Sequence, residues 1–314
     1  MPTRETTTAK RRMVPSRRRT TPTRASAPLR VLVATTGEAD SLGALHVAAE
    51  LARARDATVM AVGVVTPFPH TVSAAATWKT PVVIDEEGRR SVLERIKGRI
   101  HDLEGADRWL KRAIVGWPAD VINDTANDWK ASLMILGMTH HSRIERFLGR
   151  DAAVAVIRHA RRPVLCVPPR VRSLPRHAVA AIDFTPASLT AAEVAASLLA
   201  RGGTLTLAHV CAFGGVAARD GGLVDVYRAG AQAKLEEAIR ALRGRTRHRV
   251  TGVMVDGEPG EALLALARRS GADLLALGGH EQGLVDRVLL GSVRTRVLRS
   301  APCSVLIAPP RAAG

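Results

Sequence analysis

Short apolar runs alternate along the chain with longer amphipathic or alanine-rich stretches. Uniformly apolar runs of this kind predict buried strands, and apolar residues recurring at helical spacing predict helices packed on them. In the first half, strands are predicted at 29–35, 57–65, 113–115, 133–136 and 163–167, and helices at 41–54, 84–103, 119–129 and 151–159. Strands that alternate with helices predict an α/β fold with a parallel sheet covered on both faces.

The same order returns after a proline- and arginine-rich segment at 168–175, which interrupts both periodicities. In the second half, strands are predicted at 177–182, 204–210, 250–255, 274–277 and 304–308, and helices at 188–200, 225–243, 260–270 and 293–298. We therefore expect two domains, at 29–169 and 177–311, with a linker at 170–176 between them and a tail at 1–28 before them.

The two halves share a fixed register, because from the third predicted strand onward adding 141 to a residue number reaches its counterpart without a gap. The matched positions include a Gly-x-Pro turn, a Leu-Gly pair, an arginine and a Pro-Pro pair: Gly116 and Gly257, Pro118 and Pro259, Leu136-Gly137 and Leu277-Gly278, Arg146 and Arg287, Pro168-Pro169 and Pro309-Pro310. This agreement indicates an internal duplication.

The last predicted strand of each half is apolar and lies at the edge of its sheet, so it needs a cover. An internal copy supplies one, and we expect the strands at 164–167 and 304–308 to pair or pack with each other as an intramolecular pseudo-dimer. Whether two chains also form a homodimer stays open.

Composition fits a globular protein, with 46% hydrophobic and 24% charged residues. The sequence contains no apolar run of membrane-spanning length, so we expect no membrane insertion. Three widely spaced cysteines, Cys166, Cys211 and Cys303, suggest neither a disulfide framework nor a metal pair. They fit a reducing compartment, so we expect a cytoplasmic location.

Basic residues are concentrated at the N-terminus. Residues 1–29 carry eight Lys or Arg against the single Glu5, within a formal net charge of +17 for the chain. Because this stretch has almost nothing to bury, it is predicted to be a disordered basic tail. A solvated tail is the simplest interpretation, and nucleic-acid binding through it stays open. Nucleic-acid binding is not expected for the core, where aromatic stacking residues are scarce.

One stretch of the second half has the pattern of a phosphate-binding loop. The predicted strand at 274–277 runs directly into Gly278-Gly279-His280, and Gly291-Ser292 opens the helix that follows. A glycine-bearing loop at a helix N-terminus directs backbone N–H groups outward, and no Cβ blocks the approach of a phosphate. The pattern therefore predicts an anion site in the C-terminal half.

Together these features resemble the universal stress protein family in its tandem two-domain form. Three features carry the resemblance. The first is a strand that ends in an acid, Asp183, and the second is a Gly-x-Pro turn followed by an acid, Gly257 to Glu261. The third is a glycine loop close to the family motif G-x2-G-x9-G-[S/T]. It implies two tandem doubly wound parallel-sheet domains, Rossmann-like and of the adenine-nucleotide-binding type. It also implies ATP as the ligand, with Mg²⁺ as an optional companion.

Position by position, the resemblance carries a cofactor-binding set over to the C-terminal half. The set comprises the end of the first strand, the adenine-side residue of the second, and the phosphate loop: Ala181, Ile182, Asp183, Val210, Leu277, Gly278, His280, Gly291, Ser292 and Val293. One departure is that Glu281 replaces the second glycine of the motif. A carboxylate beside a polyphosphate is repulsive unless Mg²⁺ or the neighbouring His280 and Gln282 offset it.

The N-terminal half departs further from the family pattern. The register places Arg150 opposite Gly291 and Asp151 opposite Ser292, Thr36 replaces the acid, and His140 replaces the second glycine. Asp151 is suited to cap the N–H groups that a phosphate would use, and Arg150 should obstruct close approach. We therefore expect a degenerate nucleotide site that is filled by its own side chains, with another anion, held by Arg150, His140 and His141, as the open alternative.

The resemblance implies a non-catalytic, ATP-binding regulator of the stress response with one competent site. A nucleotide-free interaction or scaffold protein that uses its basic tail and surface is the alternative. A third interpretation is an enzyme resembling the ATP pyrophosphatases, because Thr36-Gly37-Glu38-Ala39-Asp40-Ser41 is similar to their SGGxDS loop. A strand followed by a polar cap is the simpler interpretation of this segment, and it is the one we prefer. No catalytic residues and no metal site are predicted, and at most slow ATP hydrolysis is expected.

Overall fold

The structure is a computed structural model that describes residues 28–67, 86–138, 150–212, 221–279 and 292–309. In the first half, strands and helices alternate as predicted. The strands are β1 (Arg30–Ala34), β2 (Thr58–Val65), β3 (Leu110–Val115), β4 (Leu133–Gly137) and β5 (Val164–Val167), and the helices are α1 (Leu42–Arg55), α2 (Glu86–Ile100), α3 (Pro118–Asp128) and α4 (Arg150–His159). The predicted tail at 1–28 lies outside the described residues except for its last one.

The second half repeats the arrangement. Its strands are β6 (His177–Ala181), β7 (Thr204–Cys211), β8 (Arg249–Asp256), β9 (Leu274–Gly278) and β10 (Ser304–Ala308), and its helices are α5 (Pro186–Leu198), α6 (Gly221–Arg243), α7 (Pro259–Ser270) and α8 (Ser292–Ser300). Among the described residues, no helix is both long enough and apolar enough to cross a membrane.

The ten strands of the described residues form one sheet in the order β3-β2-β1-β4-β5-β10-β9-β6-β7-β8. Neighbours within each half are parallel, as the alternation of strands and helices predicted. The two halves meet where β5 pairs with β10 antiparallel, with Leu165 opposite Leu306. The predicted pairing of the two last strands is confirmed, and it covers an edge that each half would otherwise expose.

Helices cover both faces of the sheet. One face packs against α1, α2, α5 and α6, and the other face packs against α3, α4, α7 and α8. Corresponding helices of the two halves therefore lie on the same face. Because the sheet is buried on both sides, most of its strands are nearly continuous apolar runs in the sequence.

Several element boundaries differ from the prediction by a few residues, and two of these differences have identifiable reasons. Strand β3 begins at Leu110, before the predicted apolar run, because it is an edge strand that also includes the polar residues Lys111 and Arg112. Helix α5 begins at Pro186 because the side chain of Thr185 accepts a hydrogen bond from the N–H of Ser188 and caps the helix.

Candidate functional site

Each half has a point at which the strand order reverses. Strand β1 lies between β4 and β2, and β6 lies between β9 and β7. The connections after such neighbouring strands leave to opposite faces, so a crevice opens beyond their carboxyl ends. Those predicted C-terminal site residues that the structure describes lie at this reversal, around the ends of β6, β7 and β9 and the start of α8.

Four of the predicted apolar residues share one face of the sheet. Ala181, Val210, Leu277 and Val293 all belong to or pack against the apolar cluster beneath α7 and α8. They come from three strands and from the first turn of α8, yet they converge on the same side of the reversal point. Such a convergent apolar wall is typical of the part of a pocket that holds a ligand body.

Asp183 follows β6 and anchors the entry to α5. Its Oδ1 atom accepts hydrogen bonds from the backbone N–H of Thr185, at 3.0 Å, and from the Thr185 hydroxyl, at 2.6 Å. Burial alone would raise the pKa of this carboxyl. Hydrogen bonds from the Thr185 and Ser188 side chains and from backbone N–H groups outweigh burial and hold the pKa below its ordinary value. Asp183 is therefore a carboxylate that can accept hydrogen bonds.

Gly278 lies where β9 runs closely past the start of α5. A Cβ at this position would approach the backbone nitrogen of Ser188 to 2.6 Å and the carbonyl carbon of Ala187 to 2.8 Å. The next residue, Gly279, donates its N–H to the carbonyl oxygen of Ala308 at 2.6 Å. Gly278 thus has a packing requirement that exists with or without a ligand.

Ile182 is buried on the opposite face of the sheet from the other apolar site residues. Its N–H donates to Ala208, and its carbonyl oxygen accepts from the Nδ1 of His209 at 2.8 Å. The Nε2 of His209 hydrogen-bonds the hydroxyl of Tyr227 at 3.1 Å. The structure therefore does not bring the Ile182 side chain to the convergent wall.

The remaining predicted residues belong to the phosphate loop. His280 and Gly291 lie outside the described residues, and so do Glu281 and His140. Ser292 is the first residue of α8, as the prediction of a helix entrance requires, although only its backbone is described. In the N-terminal half, α4 begins at Arg150, one residue earlier than predicted.

Helices α7 and α8 are joined by ion pairs beside this region. The Nη1 atom of Arg296 lies 3.0 Å from Glu258 Oε2 and 2.7 Å from Glu261 Oε1. Glu258 also caps α7, because its Oε2 accepts a hydrogen bond from the N–H of Glu261. These contacts fix the start of α7 relative to α8, and both helices flank the predicted site.

A cavity of about 150 Å³ lies in the N-terminal half, beyond the ends of β1, β2 and β4 and between α3 and α4. Its walls combine aliphatic side chains with hydroxyl groups and one carboxylate. They are formed by Ala34, Thr35, Thr36, Asp40, Ser41, Val62, Val64, Thr66, Pro118, Ile122, Leu136, Gly137, Ala152, Ala153 and Val156.

Strand register shows that this cavity is the counterpart of the predicted C-terminal site. Ala34 pairs with Val62 in one half as Ala181 pairs with Ala208 in the other. The N-terminal counterparts of the predicted site residues therefore line the cavity: Ala34 for Ala181, Thr35 for Ile182, Thr36 for Asp183, Val64 for Val210, Leu136 for Leu277, Gly137 for Gly278 and Ala152 for Val293.

We expected the side chains of the N-terminal site to fill it, but the cavity shows that part of this site is open. At the strand ends the space remains open, and the side chains of Arg150 and Asp151, on which that expectation rested, are not described. Alanine at 152 and 153 stands where α8 has Val293 and Arg294, which leaves more room beside α4. Sequence reasoning missed Asp40 as a lining residue, because it interpreted Thr36 to Ser41 as a cap or an enzyme loop.

Comparison with known proteins decides the family. The sequence profile of the universal stress protein family matches residues 29–168 and again residues 175–309. The chain belongs to the universal stress protein family. It carries two tandem universal stress protein domains, and the resemblance stated from the motifs is confirmed.

Individual relatives agree with this assignment. A universal stress protein of Mycobacterium tuberculosis is 27% identical over 252 residues, which cover 77% of this chain and 81% of the relative. The crystal structure of a universal stress protein from Archaeoglobus fulgidus covers 90% of this chain and 96% of its own, with a TM-score of 0.66 at 20% identity. That similarity supports the α/β fold predicted from the sequence. A universal stress protein solved in complex with cAMP is 27% identical, covering 44% of this chain and 100% of its own, with a TM-score of 0.35.

Proposed function

We propose that this universal stress protein binds ATP at one site in its C-terminal half and acts in the cytoplasm as a non-catalytic regulator of the stress response. The site comprises the end of β6 with Asp183, the apolar wall of Ala181, Val210, Leu277 and Val293, and the phosphate loop that ends at Gly291 and Ser292. Mg²⁺ is an optional companion that would offset the charge of Glu281 beside the phosphates.

One observation carries the proposal. The N-terminal counterparts of the predicted C-terminal residues line a real cavity at the equivalent strand reversal. The duplicated fold therefore builds a recess at this position, and the C-terminal copy has the features that suit a nucleotide. Asp183 supplies an ionised acceptor for the hydroxyl or amino groups of a nucleoside.

Charge around α8 favours phosphate in the C-terminal half. The helix begins at Ser292, and its N-terminal dipole end attracts an anion. Arg294 lies in the first turn, where the N-terminal half has Ala153. The corresponding helix entrance in α4 carries Asp151 near its start, which repels an anion. This asymmetry supports one ATP per chain.

The test is calorimetric titration of the full chain with Mg-ATP. We expect one ATP per chain for the wild type and no binding for Gly291→Asp, which adds a Cβ and a negative charge where phosphate must meet backbone N–H groups. Ser292→Ala should weaken binding by about 1 kcal/mol or more by removing one donor. Matched changes in the N-terminal half, Arg150→Ala and Asp151→Ala, should leave ATP affinity unchanged.

Other results would contradict the proposal in different ways. Two ATP molecules per chain would show that Asp151 does not exclude phosphate from the N-terminal half. Binding that survives Gly291→Asp would show that the glycine loop is only structural. Absence of binding by the wild type would favour a nucleotide-free interaction protein, the second interpretation of the sequence.

A further inference from the structure

We propose that the amino ends of the strands in the C-terminal half form a binding surface for the phosphate backbone of duplex nucleic acid. Six exposed arginines define this surface, which we call the arginine edge: Arg176, Arg201, Arg247, Arg249, Arg269 and Arg299. The ATP site proposed above lies beyond the carboxyl ends of the same strands, so the inference does not rest on it.

Strand pairing brings the segments that carry four of these arginines side by side. The N–H of Thr204, at the start of β7, donates to the carbonyl oxygen of Arg176 at 2.8 Å, and Thr204 is the register partner of Arg249. Arg201 lies in the turn before β7, and Arg247 lies just before β8. Neighbouring strands lie about 4.8 Å apart, so the starts of β6, β7 and β8 together span about 10 Å.

The ends of α7 and α8 bring the other two arginines to the same edge. The Nδ1 atom of His177, the first residue of β6, hydrogen-bonds the last carbonyl oxygen of α7 at 3.1 Å, and Arg269 lies in the last turn of that helix. The guanidinium of Arg268 donates to the last carbonyl oxygen of α8 at 3.4 Å, one residue after Arg299. The arginine edge therefore continues from the sheet onto the helices of one face.

Acidic residues are nearly absent from this surface. One acid, Asp273, occurs in the segments that reach it: residues 170–177, 198–204, 240–250, 266–274 and 297–304. Its Oδ2 atom accepts hydrogen bonds from the backbone N–H groups of Arg176 and His177, at 2.8 and 3.0 Å, so it holds the start of β6. Among the described residues, none of the six arginines forms an ion pair, whereas the nearby Arg245 pairs with Glu193.

The equivalent segments of the N-terminal half mix both charges. Acids occur there beside the basic residues: Asp56, Asp102, Glu104, Asp107 and Asp128. These segments lie at the opposite edge of the sheet, because β5 and β10 pair antiparallel. The duplicated fold therefore does not itself require an arginine-rich edge.

Helix dipoles explain only part of the arginine edge. Arg269 and Arg299 lie in last helical turns, where a positive charge stabilises the helix end. Arg176 follows the linker and Arg249 begins β8, so neither belongs to a helix end. Uncompensated like charges repel one another and destabilise a compact fold. A bound polyanion would remove that repulsion.

The chemistry of the side chains points to phosphate. Guanidinium groups form paired hydrogen bonds with phosphate oxygens, which is why arginine is the preferred residue for nucleic-acid recognition. One strand of duplex DNA carries a phosphate about every 3.4 Å along the helix axis. The span of about 10 Å across the starts of three strands therefore matches about three successive phosphates.

The arginine edge lacks the side chains that single strands or membranes need. The exposed large apolar side chains of the described residues all lie elsewhere: Leu110, Trp117, Leu223, Val226 and Tyr227. Without an exposed aromatic ring the surface cannot stack unpaired bases, and without apolar side chains it cannot insert into a bilayer interface. The scarcity of aromatic residues, from which we expected no nucleic-acid binding by the core, argues against single strands but not against contacts with a duplex backbone.

Titration of labelled duplex DNA and duplex RNA with the full chain, at several salt concentrations, tests the inference. We expect the combined changes Arg201→Gln, Arg247→Gln and Arg249→Gln to weaken binding of at least one duplex by about tenfold or more at low salt. The logarithmic salt slope should become shallower by about 2 to 3, because each lost phosphate contact removes about 0.9. The basic tail is the same in every variant, so its contribution cancels.

A matched triple variant at the opposite edge is the control. Arg108→Gln, Arg158→Gln and Arg161→Gln remove the same charge from exposed positions of the N-terminal half. Because exposed charges more than about 10 Å from the duplex are largely screened, this variant should bind within about threefold of the wild type. Equal weakening by both triple variants, or no weakening by the first, would overturn the inference.

Two further measurements do not depend on the folding of a variant or separate the partner classes. Hydrogen exchange of the wild-type chain should slow at residues 200–204 and 244–250 when duplex binds, and unchanged exchange there would contradict the inference. Vesicles containing anionic lipid are the second comparison. If the first triple variant loses binding to vesicles but keeps binding to both duplexes, the arginine edge serves a membrane surface and the inference is wrong.

Discussion

At the scale of single residues, Gly278 shows how a motif position can serve packing. The family motif assigns it to the phosphate loop, yet a Cβ there would lie 2.6 Å from a backbone nitrogen at the start of α5. Its counterpart Gly137 has the same constraint, because a Cβ would lie 2.9 Å from the carbonyl oxygen of Asp40. Both glycines therefore allow a strand end to approach a helix entrance closely.

We expect Gly278→Ala and Gly137→Ala each to destabilise the protein by about 1–3 kcal/mol, because the added methyl meets backbone atoms that cannot move independently. Gly98→Ala is the control. A Cβ at Gly98 on α2 meets nothing within 4 Å, so this change should stabilise the helix by about 0.5–1 kcal/mol. Urea unfolding of the three variants measures the difference. Equal stability of all three would show that the close approaches relax without cost.

Asp183 makes part of the folding stability dependent on pH. Its pKa in the folded protein lies below the ordinary aspartate value of 3.8, so the unfolded chain binds the proton more tightly. The stabilisation is complete above that ordinary value and is lost as the pH falls through the lower folded pKa. We expect Asp183→Asn to be less stable than wild type at neutral pH and the gap to close in acid. Urea unfolding between pH 7 and the acid limit tests this, and a constant gap would contradict it.

At the scale of elements, the β5–β10 pairing joins the halves into one sheet. Leu165 and Leu306 are register partners at this seam, and both lie in the apolar cluster beneath α1 and α5. They are at most 2% exposed. The stability of each half is therefore coupled to the other through side chains that meet across the antiparallel pair.

A double-mutant cycle measures this coupling. Leu165→Ala and Leu306→Ala should each cost about 2–5 kcal/mol, as large-to-small changes in a core do. Because the two side chains are partners, the double variant should deviate from additivity by about 0.5–3 kcal/mol. Chemical denaturation of the four proteins gives the values. If the effects of the two single changes add to within about 0.5 kcal/mol, the side chains of Leu165 and Leu306 are not energetically coupled.

The order of strands and helices was predictable because the buried strands are nearly continuous apolar runs, and Pro118 and Pro259 mark helix starts. The pairing of the last strands followed from their apolar edges. The cavity beside Ala152 and Ala153 was not predictable, because it depends on small residues in α4 and on the loop after β1, where Arg99 of α2 donates a hydrogen bond to the carbonyl oxygen of Gly37. Asp40 is in no strand, so only the folded loop from Thr36 to Ser41 shows that it lines this space.

At the scale of the whole molecule, the antiparallel pairing of β5 and β10 determines where the N-terminal cavity and the proposed ATP site lie. Since β5 and β10 run in opposite directions, the carboxyl ends of the parallel strands point to opposite edges of the sheet in the two halves. Corresponding helices lie on the same face. The N-terminal cavity and the proposed ATP site therefore lie on one face at opposite edges of the sheet.

Charge is distributed unevenly over the molecule. Residues 1–29 carry eight basic side chains against one acid, so the tail holds a net charge of +7 out of +17. A tail with almost no apolar residues has nothing to dock on the core. We therefore expect deletion of residues 1–28 to leave the melting temperature and ATP affinity nearly unchanged.

Nucleic-acid binding separates a role of the tail from a role of the core. If the tail contacts phosphates with all its net charge, the affinity of the full chain for duplex DNA should fall with salt at a logarithmic slope of up to about −6, because each neutralised phosphate releases counterion. The chain without residues 1–28 should then bind DNA far more weakly at low salt. Titrations at several salt concentrations compare the two proteins. Equal binding by both would place the contact on the core, whose described surface includes exposed arginines such as Arg90 and Arg296.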